Sequence, residues 1–259
     1  MPSSPWCAKT REKLYTENTE KGHRVHEETL IPNTRLFQAG VFHEESLMNF
    51  LRMHWFDLGI VLAAATGGYI LIAQPAGIAL LLWLNLIALF LHQFEEYRYP
   101  GYFPGMMNTV MFGSKQPDRY PLNPQIALTI NLMAGWLVYF LAAVFGSQAL
   151  WLGIATMLVS LGNFVAHTFL FNIKGKTRYN PGMLVAILLF LPLAVIFFVL
   201  FIRQNAASAL DWIAGIVLGV ALNYVGILKM IDWMKDSQTD TIFPARFLKP
   251  ENRDPDQAR

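Results

Sequence analysis

The sequence predicts an all-α protein, a polytopic membrane helix bundle with about six transmembrane helices. Three observations predict this fold. Six runs of mostly apolar residues follow one another, each near the roughly 20 residues that a helix needs to cross a bilayer. Only 15% of the 259 residues are charged, below the roughly 25% of an ordinary soluble domain. Lys and Arg also collect on alternate connections between the runs.

The six runs lie at approximately residues 54–73, 78–97, 126–146, 149–172, 182–202 and 209–233. One such run also fits a buried helix of a soluble protein, but the few remaining polar residues could not cover six in succession. The runs divide the chain into an amino-terminal cytoplasmic segment (1–52), a transmembrane domain (53–235) and a cytoplasmic tail (236–259).

The two flanking segments differ in composition. Residues 34–52 place apolar side chains between polar ones, which fits either a short amphipathic helix on the membrane surface or an ordered loop. The tail is rich in Asp, Pro, Arg and Gln, and it is predicted to be mostly disordered.

The distribution of Lys and Arg predicts the orientation. One side would carry the amino-terminal segment, the second and fourth connections and the carboxy-terminal end, all with basic residues, whereas the other side would carry Arg203 alone. By the positive-inside rule both termini are cytoplasmic. The first 50 residues are charged throughout and contain no signal-peptide pattern. We therefore expect a multi-pass protein of the plasma (inner) membrane.

Charge and cysteine content exclude some functions. The net charge is +2, and the basic residues form no extended stripe, which argues against a nucleic-acid partner. Cys7 is the single cysteine, so an internal disulfide and most thiolate metal sites are excluded.

Polar side chains occur inside the runs, although a charge there costs roughly 2.5–3.5 kcal/mol on insertion scales. The second run ends with His92, Glu95 and Glu96, which share one helix face at i, i+3 and i+4. The fourth run carries Asn163 and His167 at i, i+4. Because both runs cross in the same direction, the two histidines are expected at the same depth, near the cytoplasmic boundary.

Three further polar residues are expected near that level. His54 and Asp57 begin the first run, and Asn131 lies early in the third. An alternative for His54, Asp57 and Glu96 is that they only extend into the headgroup region from a helix end. Lone asparagines such as Asn131 and Asn223 more often form interhelical hydrogen bonds.

The string His92-Gln-Phe-Glu95-Glu96, followed by His167 and by Tyr179-Asn-Pro181-Gly182, resembles the HXXEE domain family of bacterial and archaeal membrane proteins. That family carries this five-residue motif, a further histidine and a YXPG motif. The resemblance covers roughly residues 55–230. It implies an enzyme with these residues in its site, and it implies no particular reaction or substrate.

A second pattern is internal to the chain. Tyr102-Phe-Pro104-Gly105-Met106 follows His92, and Tyr179-Asn-Pro181-Gly182-Met183 follows His167, after 10 and 12 residues. This spacing predicts a parallel two-helix repeat, with chance as the rival explanation. In each copy Pro-Gly is expected to form a tight turn. The proline-rich second connection is predicted to form a lid over the cytoplasmic opening.

The first functional hypothesis is metal-dependent hydrolysis of a lipid or another hydrophobic substrate at the cytoplasmic side of the membrane. In zinc enzymes with His-x-x-Glu-His on a helix, residues four apart are ligands and the intervening glutamate is the base. By this analogy His92, Glu96 and His167 would bind zinc or iron. Glu95 would accept a proton from the bound water.

Two alternatives stay open. Adjacent carboxylates in a low dielectric favour metal-free acid/base catalysis, such as isomerising or cyclising a polyprenyl or sterol-like substrate. Intramembrane His and Glu also form the proton relays of proton-coupled transporters, although such sites lie near the bilayer middle. For either enzyme the partners would be the bilayer and a lipid-like substrate.

Overall fold

The computed structural model describes residues 46–205 and 207–252. Within this part of the chain every regular element is helical. Six helices are long and apolar enough to cross a membrane, which confirms the predicted fold class. We number them α1 to α6: Ser46–Ala73, Gly77–Tyr97, Pro124–Phe145, Leu150–Gly175, Met183–Arg203 and Ala209–Met234. A helix is the expected form because it satisfies its own backbone groups where no water is present.

The observed helices differ from the predicted runs mainly at α1, which begins at Ser46, eight residues before the predicted start. The described residues divide into two units, one of residues 46–51 and one that begins at residue 52. Of the first unit the structure describes only residues 46–51, which are helical. The predicted amphipathic segment at 34–52 therefore lies largely outside the described residues.

Local sequence signals explain several helix starts. The side chain of Asn123 accepts a hydrogen bond from the backbone N–H of Ile126, and Pro124 opens α3. Ser208 and Asp211 form a capping box at the start of α6. The start of α5 has no such local cap, and its backbone donors are instead satisfied from α2, as described below.

With α2, α4 is one of the two most buried of the six helices. Ile154, Ala155 and Met157 of this helix have no exposed surface. Glycines let α6 pack closely against it, because a Cβ at Gly215 would lie 2.6 Å from the Cβ of Ile154. Small residues of this kind are what membrane helices use to approach one another.

Four of the described helices contain a π-helical segment: Asn131–Leu137 in α3, Ala166–Leu170 in α4, Ala186–Phe190 in α5 and Leu222–Lys229 in α6. Such segments are rare and occur frequently at functional sites. The segment in α4 contains His167.

The second connection is ordered. It contains a short helix, Phe103–Met106, and a π-helical turn, Met107–Met111. Asn108 holds the rest of the loop, because its side chain donates to the carbonyls of Pro117 and Leu122 and accepts from the N–H of Leu122. The expected Pro-Gly turn in this connection is wrong, since Pro104 and Gly105 lie inside the short helix.

Residues 236–252 pack against the same end of the bundle. Phe243 and Phe247 are buried in an aromatic cluster with Phe56 and Tyr97, and Arg246 donates to the carbonyl of Tyr97 at 3.1 Å. The prediction of a mostly disordered tail is therefore wrong for this part, because two phenylalanines anchor it. Residues 253–259 lie outside the described residues.

Candidate metal centre

Three buried side chains converge between α2 and α4. Nε2 of His167 lies 3.3 Å from Oε1 of Glu96, and Nε2 of His92 lies 3.6 Å from the same oxygen. One ligand atom from each of the three residues lies within 4.8 Å of the others. Their exposed fractions are 2% for His92, 5% for Glu96 and 1% for His167. These groups can hold a metal ion.

His92 is oriented by the turn before α5. Its Nδ1 lies 3.0 Å from the carbonyl oxygen of Gly182. A carbonyl can only accept, so Nδ1 carries the proton and Nε2 of the neutral ring carries a lone pair. This buried Nε2 has no hydrogen-bond partner.

His167 is oriented in the same way by Asn180. The amide nitrogen of Asn180 donates to the carbonyl of His167 at 2.7 Å and to Oδ1 of Asn172 at 2.8 Å. Its oxygen therefore faces Nδ1 of His167, 2.7 Å away, and accepts a hydrogen bond from the N–H of that atom. Nε2 of His167 is then unprotonated, and its lone pair is directed at Glu96.

The geometry indicates what this cluster can bind. Two nitrogen lone pairs and a carboxylate that face one another are unfavourable when buried, unless a metal ion or a proton lies between them. Metal–ligand bonds of about 2.0–2.1 Å in tetrahedral geometry place neighbouring ligand atoms about 3.3 Å apart, close to the observed 3.3 and 3.6 Å. Direct N–H···O hydrogen bonds are usually shorter, about 2.7–3.2 Å.

The surroundings of the two histidines are apolar and aromatic. The ring of His167 stacks against Phe103 and meets Phe171 edge to face, at centroid distances of 5.4 and 4.8 Å. His92 contacts Phe190 at 4.9 Å. An apolar shell of this kind limits the access of water to a metal site.

Glu95 points away from the cluster. Its Oε1 accepts from the hydroxyl of Tyr179 at 2.8 Å and from the N–H of Leu184 at 3.1 Å, and its Oε2 accepts from the N–H of Val185 at 2.9 Å. The carboxylate thus satisfies the first backbone donors of α5, where a negative charge is favourable. Partial burial and the bond to Glu95 raise the pKa of Tyr179 well above its usual value, so its hydroxyl stays a donor.

The YXPG motif therefore forms a turn that holds the two histidine rings in position. Asn180, Pro181, Gly182 and Met183 form a β-turn closed by the bond from Met183 N–H to the Asn180 carbonyl. Gly182 has a φ of 98°, which fits the third position of a type II turn. A Cβ at Gly182 would lie 2.5 Å from Cε1 of His167 and 2.7 Å from Cε1 of His92. Only glycine leaves room for both rings.

Beside the cluster lies a small space that we call the inner cavity, with a volume of about 90 Å³. Apolar side chains such as Leu89 and Val159 form much of its wall. Its polar lining residues are His92, Gln93, Glu96, Tyr97, Asn131, Tyr139 and Asn163. A space of this size holds a few waters, since each takes about 30 Å³ in the liquid. The open side of the candidate metal centre therefore has room for water.

The other residues expected at the site occupy different places. Asn163 lines the inner cavity and donates to the carbonyl of Val159. Asn131 accepts from Gln93 at 2.9 Å and so joins α3 to α2, as expected for an interhelical hydrogen bond. His54 is exposed, and Asp57 pairs with Arg98 at 3.2 Å. Neither belongs to the group of possible ligands.

Sequence reasoning missed the contacts of Asn180, Gly182 and Gln93 with the site, although it predicted the turn at Pro181-Gly182. The signal for the first two was their place in the YXPG string. Gln93 lies inside the HXXEE string, where it accepts from the indole N–H of Trp136 at 2.6 Å. The polar faces of α2 and α4 also meet deeper in the bundle, where Ser160 donates to Asn85 at 2.8 Å and lies 3.0 Å from the hydroxyl of Tyr139.

Fold and site define a class of protein: apolar helices of membrane-spanning length around a buried cluster of two histidines and one glutamate. Residues 83–197 match the model of a family described as "Protein of unknown function with HXXEE motif". The resemblance to this family is thus confirmed over that range, which is narrower than 55–230. A search of curated proteins and a search of solved structures each returned no match.

Proposed function

We propose that this protein is an integral membrane enzyme that uses a divalent metal, zinc or iron, to hydrolyse a lipid or another membrane-soluble substrate. The observation that carries the proposal is the shared direction of two histidine lone pairs. Nδ1 of His92 and Nδ1 of His167 both donate to fixed acceptors, so both Nε2 atoms face the carboxylate of Glu96. Two histidines and one carboxylate are a ligand set of catalytic zinc sites.

The ligand set would leave a coordination position for water toward the inner cavity, which Glu96 and His92 line. A divalent ion in such a site lowers the pKa of bound water to about 7, which supplies a nucleophile near neutral pH. The apolar walls exclude bulk water, and the side-chain amide of Asn163 lies on the cavity lining, where it can contact a polar group of the substrate.

The roles of the two glutamates differ from the zinc-protease analogy. Glu95 is engaged by three donors at the start of α5, so we propose that it positions α5 and the histidine-supporting turn. Among the described residues that line the inner cavity, Glu96 is the sole carboxylate. We therefore assign to Glu96 both metal binding and the acceptance of the proton from water.

The rival function is acid/base catalysis without a metal, in which the same three residues share a proton. An isomerase or cyclase of a polyprenyl or sterol-like substrate would have this form. A proton-coupled transporter is the third candidate, and no contact among the described residues favours it over an enzyme. We place the protein in the plasma membrane with both termini in the cytoplasm. In this orientation the site would lie near the cytoplasmic face.

The test is metal binding by the purified protein in detergent. After treatment with a chelator and dialysis against Zn²⁺ or Fe²⁺, we expect one ion per chain, measured by inductively coupled plasma mass spectrometry. His92→Ala, His167→Ala and Glu96→Gln should each lose it, because a three-ligand site depends on every ligand. His54→Ala is the matched control, since His54 is exposed. Equal metal content in all four variants would overturn the metal proposal in favour of the acid/base function.

A further inference from the structure

A second space lies on the outer surface of the bundle, between α1, α2 and α3. We call it the outer groove. It has a volume of about 580 Å³, within the range of small-molecule sites. Its lining is apolar or aromatic apart from one threonine, and includes Ala65, Trp83, Met133, Trp136 and Phe140.

The outer groove and the inner cavity share a wall. That wall is the π-helical segment Asn131–Leu137 of α3. Met133 and Trp136 of this segment line the groove, whereas Asn131 and Gly135 line the inner cavity. The indole of Trp136 donates to the side chain of Gln93, which belongs to the cavity. This tryptophan–glutamine pair thus lies between the two spaces.

The size of the inner cavity makes a second subsite necessary. At about 90 Å³ it cannot contain a lipid, since drug-sized ligands already need about 300–1,000 Å³. The hydrocarbon part of a lipid substrate must therefore lie outside it. The outer groove is the adjoining space of sufficient volume among the described residues.

The direction of the groove also fits a lipid. On α2 its residues run from Phe90, two residues before His92, back to Trp83, a length of about 10 Å along the helix at 1.5 Å per residue. This direction leads from the helix end that holds the candidate metal centre toward the middle of the span. A lipid bound with its polar end at His92 and Glu96 would place its chain along this path.

We propose that the outer groove binds the hydrocarbon chain of a membrane lipid, and that Trp136 is a positioning residue at the lateral passage from the groove to the metal centre. The proposal deepens the proposed function by assigning its substrate to the class of lipids with an extended hydrocarbon chain, and it rests on that function. Displacement of the Trp136 ring would open the passage, because the neighbouring Gly135 has no side chain to block it. A Cβ at Gly135 would lie 3.1 Å from the amide nitrogen of Gln93 and would narrow the passage.

Chain binding can be tested without any activity. The probe is a phospholipid with a diazirine in its acyl chain, added in trace amounts to protein in detergent micelles and competed with unlabelled phospholipid. We expect saturable labelling of residues 132–140. Ala65→Trp, which fills the groove, should lower that labelling roughly tenfold or more, the effect of one to a few kcal/mol of overpacking. Ala64→Trp is the matched control, because Ala64 is exposed on α1 and does not line the groove.

The passage is tested by the rate of metal removal. Trp136→Ala should speed extraction of the metal by the membrane-soluble chelator 1,10-phenanthroline several-fold. Extraction by EDTA, which does not enter the membrane, should be unchanged. Labelling that is not saturable and is unaffected by Ala65→Trp, in a protein that still binds its metal, would overturn the groove proposal alone. Saturable labelling in a protein that binds no metal would support the groove as a lipid site while the proposed hydrolysis fails.

Discussion

Oδ1 of Asn180 lies 2.7 Å from Nδ1 of His167 and accepts a hydrogen bond from it, so that a residue outside the spanning helices determines which nitrogen of a buried histidine is free. Gly182 does the same for His92 through its carbonyl. The turn between α4 and α5 thus fixes both histidines, and the site depends on residues that touch neither Glu96 nor the inner cavity.

The first prediction concerns Asn180. Asn180→Ala removes the acceptor of His167 Nδ1 and should weaken Zn²⁺ binding about 10–100-fold, the usual effect of losing such a supporting bond. The dissociation constant is measured by competition with a chromophoric chelator.

Asn108→Ala is the control for this substitution. Asn108 is also fully buried and makes three hydrogen bonds, but these hold the second connection. It should lower thermal stability and leave metal affinity unchanged. Wild-type affinity in Asn180→Ala would show that His167 is held by other contacts.

The second prediction concerns the space at Gly182. Gly182→Ala places a methyl group against both histidine rings and imposes a φ of 98° on a residue with a Cβ. We expect the protein to lose its metal. Gly113→Ala separates the two causes, because Gly113 has a φ of 62° but open space around its Cβ. That variant should show only backbone strain, about 1–2 kcal/mol of unfolding free energy, with full metal content.

The third prediction separates an anchor from a base at Glu95. Glu95→Gln should lower the free energy of unfolding by about 1–3 kcal/mol, because charged hydrogen bonds to the start of α5 are weakened. Tyr179→Phe should cost about 1 kcal/mol, the value of one hydrogen bond. Thermal unfolding in detergent measures both. If Glu95→Gln kept wild-type stability and metal content but abolished turnover, Glu95 would be the general base that the zinc-protease analogy predicts.

The fourth prediction concerns orientation. A cysteine placed at Ser147 or Asn205 should react with an impermeant thiol reagent added outside intact cells, whereas one placed at Gly175 should not. The physical reason is the concentration of Lys and Arg on the opposite connections. Labelling of Gly175→Cys from outside would reverse the proposed orientation.

The spanning helices could be predicted from the sequence because each depends on one local property, a run of apolar residues. The meeting of His92 and His167 could also be predicted, since two helices that cross in the same direction bring equal positions to equal depth. The distinction between Glu95 and Glu96 followed in part from their separation of about 100° on the helix. That difference in direction is present in the structure.

The remaining features depend on packing that sequence patterns do not encode. Glu95 caps α5 because α5 begins next to the end of α2, a neighbour relation that hydropathy does not specify. Asn180 carries no signal beyond its place in the YXPG string. The two Tyr-x-Pro-Gly-Met strings differ in conformation, with Gly105 helical and Gly182 at positive φ, because the second alone must leave room for two imidazole rings.

The most direct test of the account is X-ray absorption spectroscopy of the protein loaded with one equivalent of Zn²⁺. We predict a first shell of four nitrogen or oxygen ligands at about 2.0–2.1 Å, with the multiple-scattering signature of two imidazoles. His167→Ala should no longer hold the ion at this site, so the two-imidazole signature should be absent from its spectrum. A six-oxygen shell without imidazole, or a spectrum unchanged in His92→Ala and His167→Ala, would contradict the assignment of a metal to His92, Glu96 and His167.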